Sequence, residues 1–236
     1  MDVIPAIEVS GVRKVFGRTV ALDRVDLAVA PGTFLGLIGH NGAGKSTLLE
    51  LLFGRLIPTE GTVRVGGVEV GADPAAARRI VGGVPEELAL YEWLSAREWF
   101  ELVAEVRGTG DVASALDVCD LGADAERPIR EYSQGMRRRT ALAAALLGDP
   151  PVVLLDEALN GLDPPSAARI KGILRSVVDS GRTVVLSTHV VETVERVADR
   201  VVMLAHGRIV ADELTSALGQ EGLERLFLER LAASKG

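Results

Sequence analysis

Hydrophobic and polar positions change their period several times along the chain. From Ile7 to Val29 apolar residues (Ile7, Val9, Val15, then Val20, Leu22, Val25, Leu27 and Val29) alternate with polar ones across the turn Phe16-Gly17-Arg18. A period of two predicts half-buried β-strands. Pro31-Gly32 predicts a turn, and Phe34–Ile38 is an unbroken apolar run leading through the glycine-rich stretch Gly39–Thr47 into Leu48, Leu49, Leu51 and Leu52. That pattern predicts a strand, a loop and a helix ending near Gly54. After a turn at Pro58–Gly61, short strands are expected over 62–65 and 68–70 around Gly66-Gly67. The front of the chain therefore pairs an antiparallel sheet with a strand–loop–helix core.

A short helix over 73–80 and a strand over 80–84, ending at Pro85, come next, and from Leu88 to Leu147 the signals are helical. Ser95-Ala-Arg-Glu98 reads as a capping box, with Trp99, Leu102, Val103 and Val106 on one face behind it. A second helix is expected over about 111–120, then a polar connection over Gly122–Arg130, then a third helix over about 134–147 with Ser133 as its N-cap. The core resumes at Val152–Leu155, an apolar run suited to a strand buried on both faces. A helix from about Pro165 places Ile170, Ile173, Leu174, Val177 and Val178 at core spacing and stops at Gly181. Thr183–Ser187 is the next buried strand, followed by a helix presenting Val190, Val194, Val197 and Ala198, and by a hairpin across His206-Gly207. A last amphipathic helix over 222–232 (Leu223, Leu226, Phe227, Leu231) is expected to pack on its own domain rather than on a partner. The expected fold class is α/β, with core segments at about 6–87 and 149–211, a helical insertion at about 88–148 and a tail at 212–236.

Composition narrows the setting. At 236 residues the chain can bury a sizeable core, and 47% hydrophobic with 25% charged residues is ordinary for a globular protein. No run approaches the roughly 18–20 apolar residues of a membrane span, and Met1–Pro5 lack the basic start and apolar stretch of a secretory signal. Cys119 is the only cysteine and falls at helical spacing with Val112 and Leu116, so it reads as a core residue in a reducing cytosol. A net charge of −7 argues against nucleic acid as the main partner. Basic side chains are mostly Arg, which is read as genome composition.

Three places carry chemistry. Gly39-His40-Asn41-Gly42-Ala43-Gly44-Lys45-Ser46-Thr47 has the full phosphate-binding P-loop spacing, Gly39, four residues, then Gly44, Lys45 and Ser46. Backbone N–H groups of such a loop converge on phosphate oxygens, and the free helix N-terminus adds partial positive charge. Lys45 would reach the β- and γ-phosphates and Ser46 would ligate Mg²⁺. A glycine-rich turn that binds nothing is the competing reading, but chance produces the pattern in only about one chain in a hundred. Asp156-Glu157 ends the strand 152–155, and ligands of open α/β sheets gather at carboxyl ends of strands. Asp156 would hold Mg²⁺ and Glu157 would polarise the attacking water. His189 directly follows another buried strand, where a γ-phosphate contact competes with a structural role.

Along essentially its whole length the sequence resembles the ATP-binding subunit of an ABC transporter. The family's elements fall in order on Phe16 (adenine contact), Gly39–Thr47 (P-loop), Glu86 (glutamine-bearing loop), about 88–148 (helical subdomain), Tyr132-Ser-Gln-Gly-Met136 (signature motif), Asp156-Glu157, Leu159-Asn-Gly-Leu-Asp163 (D-loop) and His189 (switch histidine). The P-loop alone would also suit a kinase, a GTPase or a recombinase-like ATPase. The resemblance implies the ABC ATPase fold and two such domains paired head to tail, each ATP lying between one P-loop and the other subunit's signature motif. Ser133 and the Gly135 N–H would bind the γ-phosphate of the partner's ATP, His189 with Asp163 would couple the sites, and Val20 could make the adenine contact instead of Phe16. The implied partners are a second ATPase subunit, identical or related, and a membrane permease, with the chain at the cytoplasmic face of the membrane.

Two positions depart from the family pattern. Glu86 stands where glutamine is usual; an acid can still ligate Mg²⁺ but adds negative charge near the phosphates. Tyr132, Gln134 and Met136 differ from Leu-Ser-Gly-Gly-Gln, while Ser133 and Gly135 remain. Both departures resemble those of ABC-2 type exporter subunits, which points to export. Arg137-Arg-Arg139 reads as a solvated face of the signature helix. A soluble ABC protein without a permease and a non-hydrolysing nucleotide-gated module stay open as alternatives.

Overall fold

The computed structural model describes residues 4–218 and, in the tail, residues 222, 223, 225, 226 and 229. Two sheets form the framework. Strands β1 (Ile7–Phe16), β2 (Thr19–Val29), β4 (Glu60–Val65) and β5 (Val68–Glu69) form an antiparallel sheet in the order β2-β1-β4-β5. The β1–β2 hairpin turns at Gly17-Arg18, where the alternating pattern breaks. The second sheet runs β10-β9-β3-β8-β7-β6, built from β3 (Phe34–Ile38), β6 (Val81–Val84), β7 (Val152–Asp156), β8 (Thr183–Thr188), β9 (Arg200–Ala205) and β10 (Arg208–Leu214). Its pairs are parallel except for the β9–β10 hairpin. β3 and β7 are buried at every position, as unbroken apolar runs at a sheet centre must be.

The two sheets enclose one core. Val9, Leu22, Val25 and Val63 of the antiparallel sheet meet Leu35, Leu37, Leu154 and Val202 of the other, with Leu48, Leu49, Leu51 and Leu52 of α1 (Lys45–Leu52) between them. On the opposite face of the larger sheet Phe34, Val153, Leu155 and Leu186 pack against Ile170, Leu174 and Val178 of α6 (Pro164–Asp179). α2 (Pro74–Arg79) and the short α7 (Val191–Glu195) complete this half.

A third core belongs to the helices α3 (Ala96–Arg107), α4 (Val112–Cys119) and α5 (Gln134–Leu146). It gathers Ala96, Phe100, Ala115, Cys119, Ile129, Tyr132 and Ala143. The capping box at α3 forms as read, with Ser95 and Glu98 exchanging bonds between side chain and backbone. Cys119 is fully buried, and burial pushes its thiol above the ordinary range, as expected of a core cysteine.

Three expectations need correction. The buried face of α3 is set by Ala96 and Phe100, with the expected Trp99 and Val103 partly buried beside them, whereas Val106 is 79% exposed. In the helix after β8 it is Val191, not Val190, that turns inward, because the strand runs one residue further than read. Arg137, Arg138 and Arg139 are half-buried and each donates a hydrogen bond to a backbone carbonyl. In the tail Leu223 is buried and Leu226 packs on the α6 side of the core, while Phe227 and Leu231 lie outside the described residues. Among the described residues no helix is long and apolar enough to cross a membrane.

Candidate functional site

The carboxyl ends of β3, β8 and β7 stand side by side, and each is followed by chemistry. β3 and β8 pair in parallel as far as Ile38 opposite Thr188, and β7 and β8 as far as Asp156 opposite Ser187. The segments Gly39–Thr47, Asp156-Glu157 and His189 therefore leave the sheet at one edge. A cleft of about 520 Å³ opens there, lined by Phe16, Thr19, Val20, Ala21, Asn41–Thr47, Glu86 and Glu157. A hollow of about 310 Å³ between α4, α5 and α6 holds no glycine-rich loop, and only the larger cleft combines phosphate-binding backbone with carboxylates.

The loop geometry explains its glycines. A β-carbon on Gly39 would lie 2.5 Å from the Leu204 carbonyl oxygen, closer than real contacts allow. Gly44 sits at φ +110° as the N-terminal cap of α1 and would meet the Ala21 carbonyl at 2.7 Å. No side chain caps α1, so the N–H groups of its first turn face the cleft without an acceptor from a capping residue. The β9–β10 turn braces the loop: Gly207 N–H donates to the Ala43 carbonyl at 2.9 Å, and the His40 and His206 rings lie 5.3 Å apart.

Lys45 is 6% exposed and folded back on its own loop. Its Nζ donates to the Gly39 carbonyl at 2.8 Å and lies 3.6 Å from the Glu157 carboxylate. Ser46 and Glu86 line the same cleft as Glu157. Phe16 and Val20, the two candidates for the adenine, both line it while 47% and 42% exposed, so they present apolar surface to it. The Lys14 ammonium sits over the Phe16 ring at 5.0 Å.

Asp156 and Glu157 behave differently. Asp156 is buried behind the cleft wall, and one oxygen accepts a short bond from the Ser187 hydroxyl. Glu157 turns into the cleft through a left-handed backbone at φ +48°. Its N–H is shared between the Ser187 carbonyl (3.2 Å) and hydroxyl (3.1 Å). Its carboxylate accepts from the Asn160 amide at 2.9 Å and lies 3.0 Å from His189 Nδ1. His189 turns Nδ1 to this carboxylate and leaves Nε2 on the other side of its ring. Lys45, Glu157, Asn160 and His189 thus form one connected polar group. The sequence singles out Asn160 only as a member of the Leu159–Asp163 stretch and does not single out Ser187; the available signal was an amide three residues after an acid and a hydroxyl ending a buried apolar strand.

The structure does not bring Ser133, Gly135 or Asp163 into this cleft. Ser133 caps α5, accepting from Met136 N–H at 3.3 Å, and is exposed beside Gly135. Asp163 caps α6, accepting from Ser166 N–H at 2.9 Å and Ser166 Oγ at 2.7 Å. The backbone bond from Ser166, then its hydroxyl, hold this carboxyl below its ordinary value of 3.8. The two caps belong to one surface, since the Gly161 carbonyl lies 3.9 Å from where a Gly135 β-carbon would stand.

Comparison with known proteins fits this geometry. The ABC transporter family model matches residues 22–160. The chain is 37% identical over 228 residues to the daunorubicin/doxorubicin resistance ATP-binding protein DrrA of Streptomyces peucetius, covering 92% of this chain and 69% of that one. It is 36% identical over 222 residues to the Nod factor export ATP-binding protein I of Rhizobium sp. (strain N33), covering 92% and 73%. It is 32% identical over 216 residues to the bacitracin transport ATP-binding protein BcrA of Enterococcus faecalis, covering 90% and 70%. Among solved structures, the ATP-binding subunit of an ABC transporter superposes with a TM-score of 0.88 at 27% identity, covering 96% of this chain and 99% of that one. A dimeric ATP-binding cassette in a post-hydrolysis state with ADP and Pi gives 0.82 at 26% identity, covering 89% and 98%. The α/β architecture of two sheets around a P-loop, with helices inserted between β6 and β7, is therefore the ABC ATPase fold, and the chain belongs to the ABC transporter family as one of its ATP-binding domains.

Proposed function

We propose that the chain is a Mg²⁺-dependent ATPase subunit that dimerises head to tail around two ATP molecules and powers a separate membrane permease in export. The observation that carries this reading is the Glu157 carboxylate, 3.6 Å from the P-loop lysine and 3.0 Å from His189 at a nucleotide-sized cleft. Phe16, with Val20, stacks on adenine. The backbone of Gly39–Thr47 and Lys45 hold the phosphates; Lys45 leaves the Gly39 carbonyl and moves to them when ATP enters. Glu157, aimed into the cleft, takes the proton of the attacking water, and His189 holds Glu157 through Nδ1 with its Nε2 edge toward the γ-phosphate.

Ser46, Asp156 and Glu86 supply a hydroxyl and two carboxylates, a donor set that suits a hard cation. Among the described residues no three His, Cys, Asp or Glu side chains cluster as a metal cage, which suits Mg²⁺ shared with substrate phosphates and water. When bound, that ion neutralises charge on the transferred phosphoryl group.

Completion in trans accounts for Ser133, Gly135 and Asp163. An exposed helix N-terminus attracts an anion, and one outside its own cleft serves a second subunit's ATP. The partner is a second copy or a related ATPase subunit, and the pair sits at the cytoplasmic face of the membrane against the permease. Export follows from the relatives, one of which is named for Nod factor export. The test is to tag the Glu157→Gln form, trap it with ATP, solubilise source membranes gently and identify what co-purifies. A polytopic membrane protein at stoichiometric yield is expected; a dimer recovered alone would overturn the permease assignment.

A further inference from the structure

Three consecutive arginines on α5 end in different places. Arg137 reaches Glu92 at 2.6 Å, and Arg139 bonds the Asp120 carbonyl at 2.7 Å with its carboxylate 3.9 Å away. Arg138 has no carboxylate within ion-pair distance among the described residues; its guanidinium donates to the backbone carbonyl of Glu157. Glu157 holds a left-handed backbone, φ +48°, which is unfavourable for a residue with a β-carbon and persists only where the surroundings enforce it. Ser187 holds the N–H side of that residue. The carbonyl side is held by Asn160 N–H at 3.1 Å and by Arg138.

The two carbonyl donors are unequal. Asn160 is three residues along the same loop and moves with Glu157. Arg138 comes from the helical layer and carries a full charge, and a charged donor makes the stronger bond. Fixing both peptide units of a residue fixes where its Cα–Cβ bond points, and so where the carboxylate can reach.

We propose that Arg138 is a positioning residue for Glu157, tying the aim of the catalytic carboxylate to the place of α5. The inference rests on the reading of Glu157 as the base. It gives the helix whose N-terminus presents Ser133 and Gly135 a direct polar link to its own subunit's reacting centre.

The test compares Arg138→Met, which keeps the aliphatic stem and removes the donor, with Arg138→Lys, which keeps a charged donor. Phosphate release and ATP affinity are measured on the full chain, with Glu157→Gln alongside. Arg138→Met should lower kcat by roughly 10–100-fold, the effect of a small misplacement of a reacting group, with ATP affinity unchanged because no P-loop contact is lost. Arg138→Lys should recover most of the loss. Wild-type kcat in Arg138→Met beside an inactive Glu157→Gln would overturn the positioning role and leave the ATPase reading standing. Equal losses of kcat and ATP affinity, or a lysine no better than methionine, would also overturn it, as structural damage. A wild type that releases no phosphate would overturn the ATPase reading and this inference with it.

Discussion

Replacing Glu157 with glutamine separates binding from chemistry, and the structure sets the size of each effect. Lys45 Nζ and the Glu157 carboxylate are 3.6 Å apart with side chains 6% and 9% exposed. At an effective dielectric constant of about 20 their attraction is about 5 kcal/mol. Desolvation of two buried ions offsets most of that, leaving a net term on the order of 1 kcal/mol. Without nucleotide this pairing competes with phosphate for Lys45. The amide keeps one oxygen to accept from Asn160 or His189, so the loop keeps one of these two contacts while Lys45 is released. ATP affinity should therefore stay level or tighten by up to about tenfold, since about 1.4 kcal/mol is a factor of ten. Turnover should fall by roughly 10²–10⁴, the usual contribution of a positioned base. Phosphate release at saturating ATP and calorimetric titration measure the two quantities. Turnover within about threefold of wild type, a barrier change under 1 kcal/mol, would remove Glu157 as the base. Weakened ATP binding would instead show that the carboxylate helps hold nucleotide.

Ser133 offers a test of the completion in trans: Ser133→Asp preserves the cap, since Asp is as good an N-cap as Ser, but places an anion where the partner's γ-phosphate must sit. Its melting temperature should match wild type while ATPase activity collapses, and retained activity would refute a phosphate site at α5. Ser133→Ala should lose about 1 kcal/mol of stability as well as turnover. Asp163→Ala should lower the melting temperature at pH 7. Because the folded-state pKa of Asp163 is depressed by Ser166, its contribution is present above the ordinary value of 3.8 and is lost as pH falls through the lower folded value. The deficit of the alanine variant should accordingly narrow below about pH 4, and a deficit that widens there would contradict the capping account. Gly82→Ala would place a β-carbon 1.9 Å from the Ala145 carbonyl and 2.6 Å from Pro150, both lying across β6. Backbone cannot move aside cheaply, so a loss of about 3 kcal/mol or more is expected in urea unfolding.

Legibility in the sequence followed burial. β3 and the first four residues of β7 are short apolar runs, and both strands lie where the pattern puts them. The face of α3 was not legible, because two stripes overlap on it. Trp99, Leu102, Val103 and Val106 satisfy helical spacing, and so do Ala96, Phe100 and Val103. The second stripe wins because Phe100 fits fully into the space between α4 and α5, and small Ala96 lets the helices approach. The arginine run was misread for a different reason. Charge runs are usually solvated, but α5 lies across the edge of the core, and these side chains end on carbonyls of Tyr132, Glu157 and Asp120. Backbone acceptors leave no trace in the pattern of residue types. The P-loop, Asp156, Glu157 and His189 stand out in the sequence because each ends or follows an apolar strand, whereas Ser187 fits no motif and Asn160, inside the Leu159–Asp163 stretch, carries no sign there of the acid it holds.

The register of three strands explains how residues so distant in sequence come to share one centre. β8 lies between β3 and β7, and its last residues pair with the last residues of both neighbours. The parallel alignment brings the P-loop, the Asp156-Glu157 pair and His189 out at one level of the sheet edge. Side chains alternate between faces along a strand, so a slip of one residue between β7 and β8 would reverse which of Asp156 and Glu157 is sequestered. Ser187 opposes that slip, donating its hydroxyl to Asp156 while taking the N–H of Glu157. One hydroxyl thus fixes both the acid that is buried and the acid that is presented. The left-handed turn at Glu157 then swings its carboxylate toward Lys45 instead of continuing along the strand. The sheet supplies level, Ser187 supplies register and Glu157's backbone supplies aim; the residues that choose the chemistry are few because the fold has already chosen their positions.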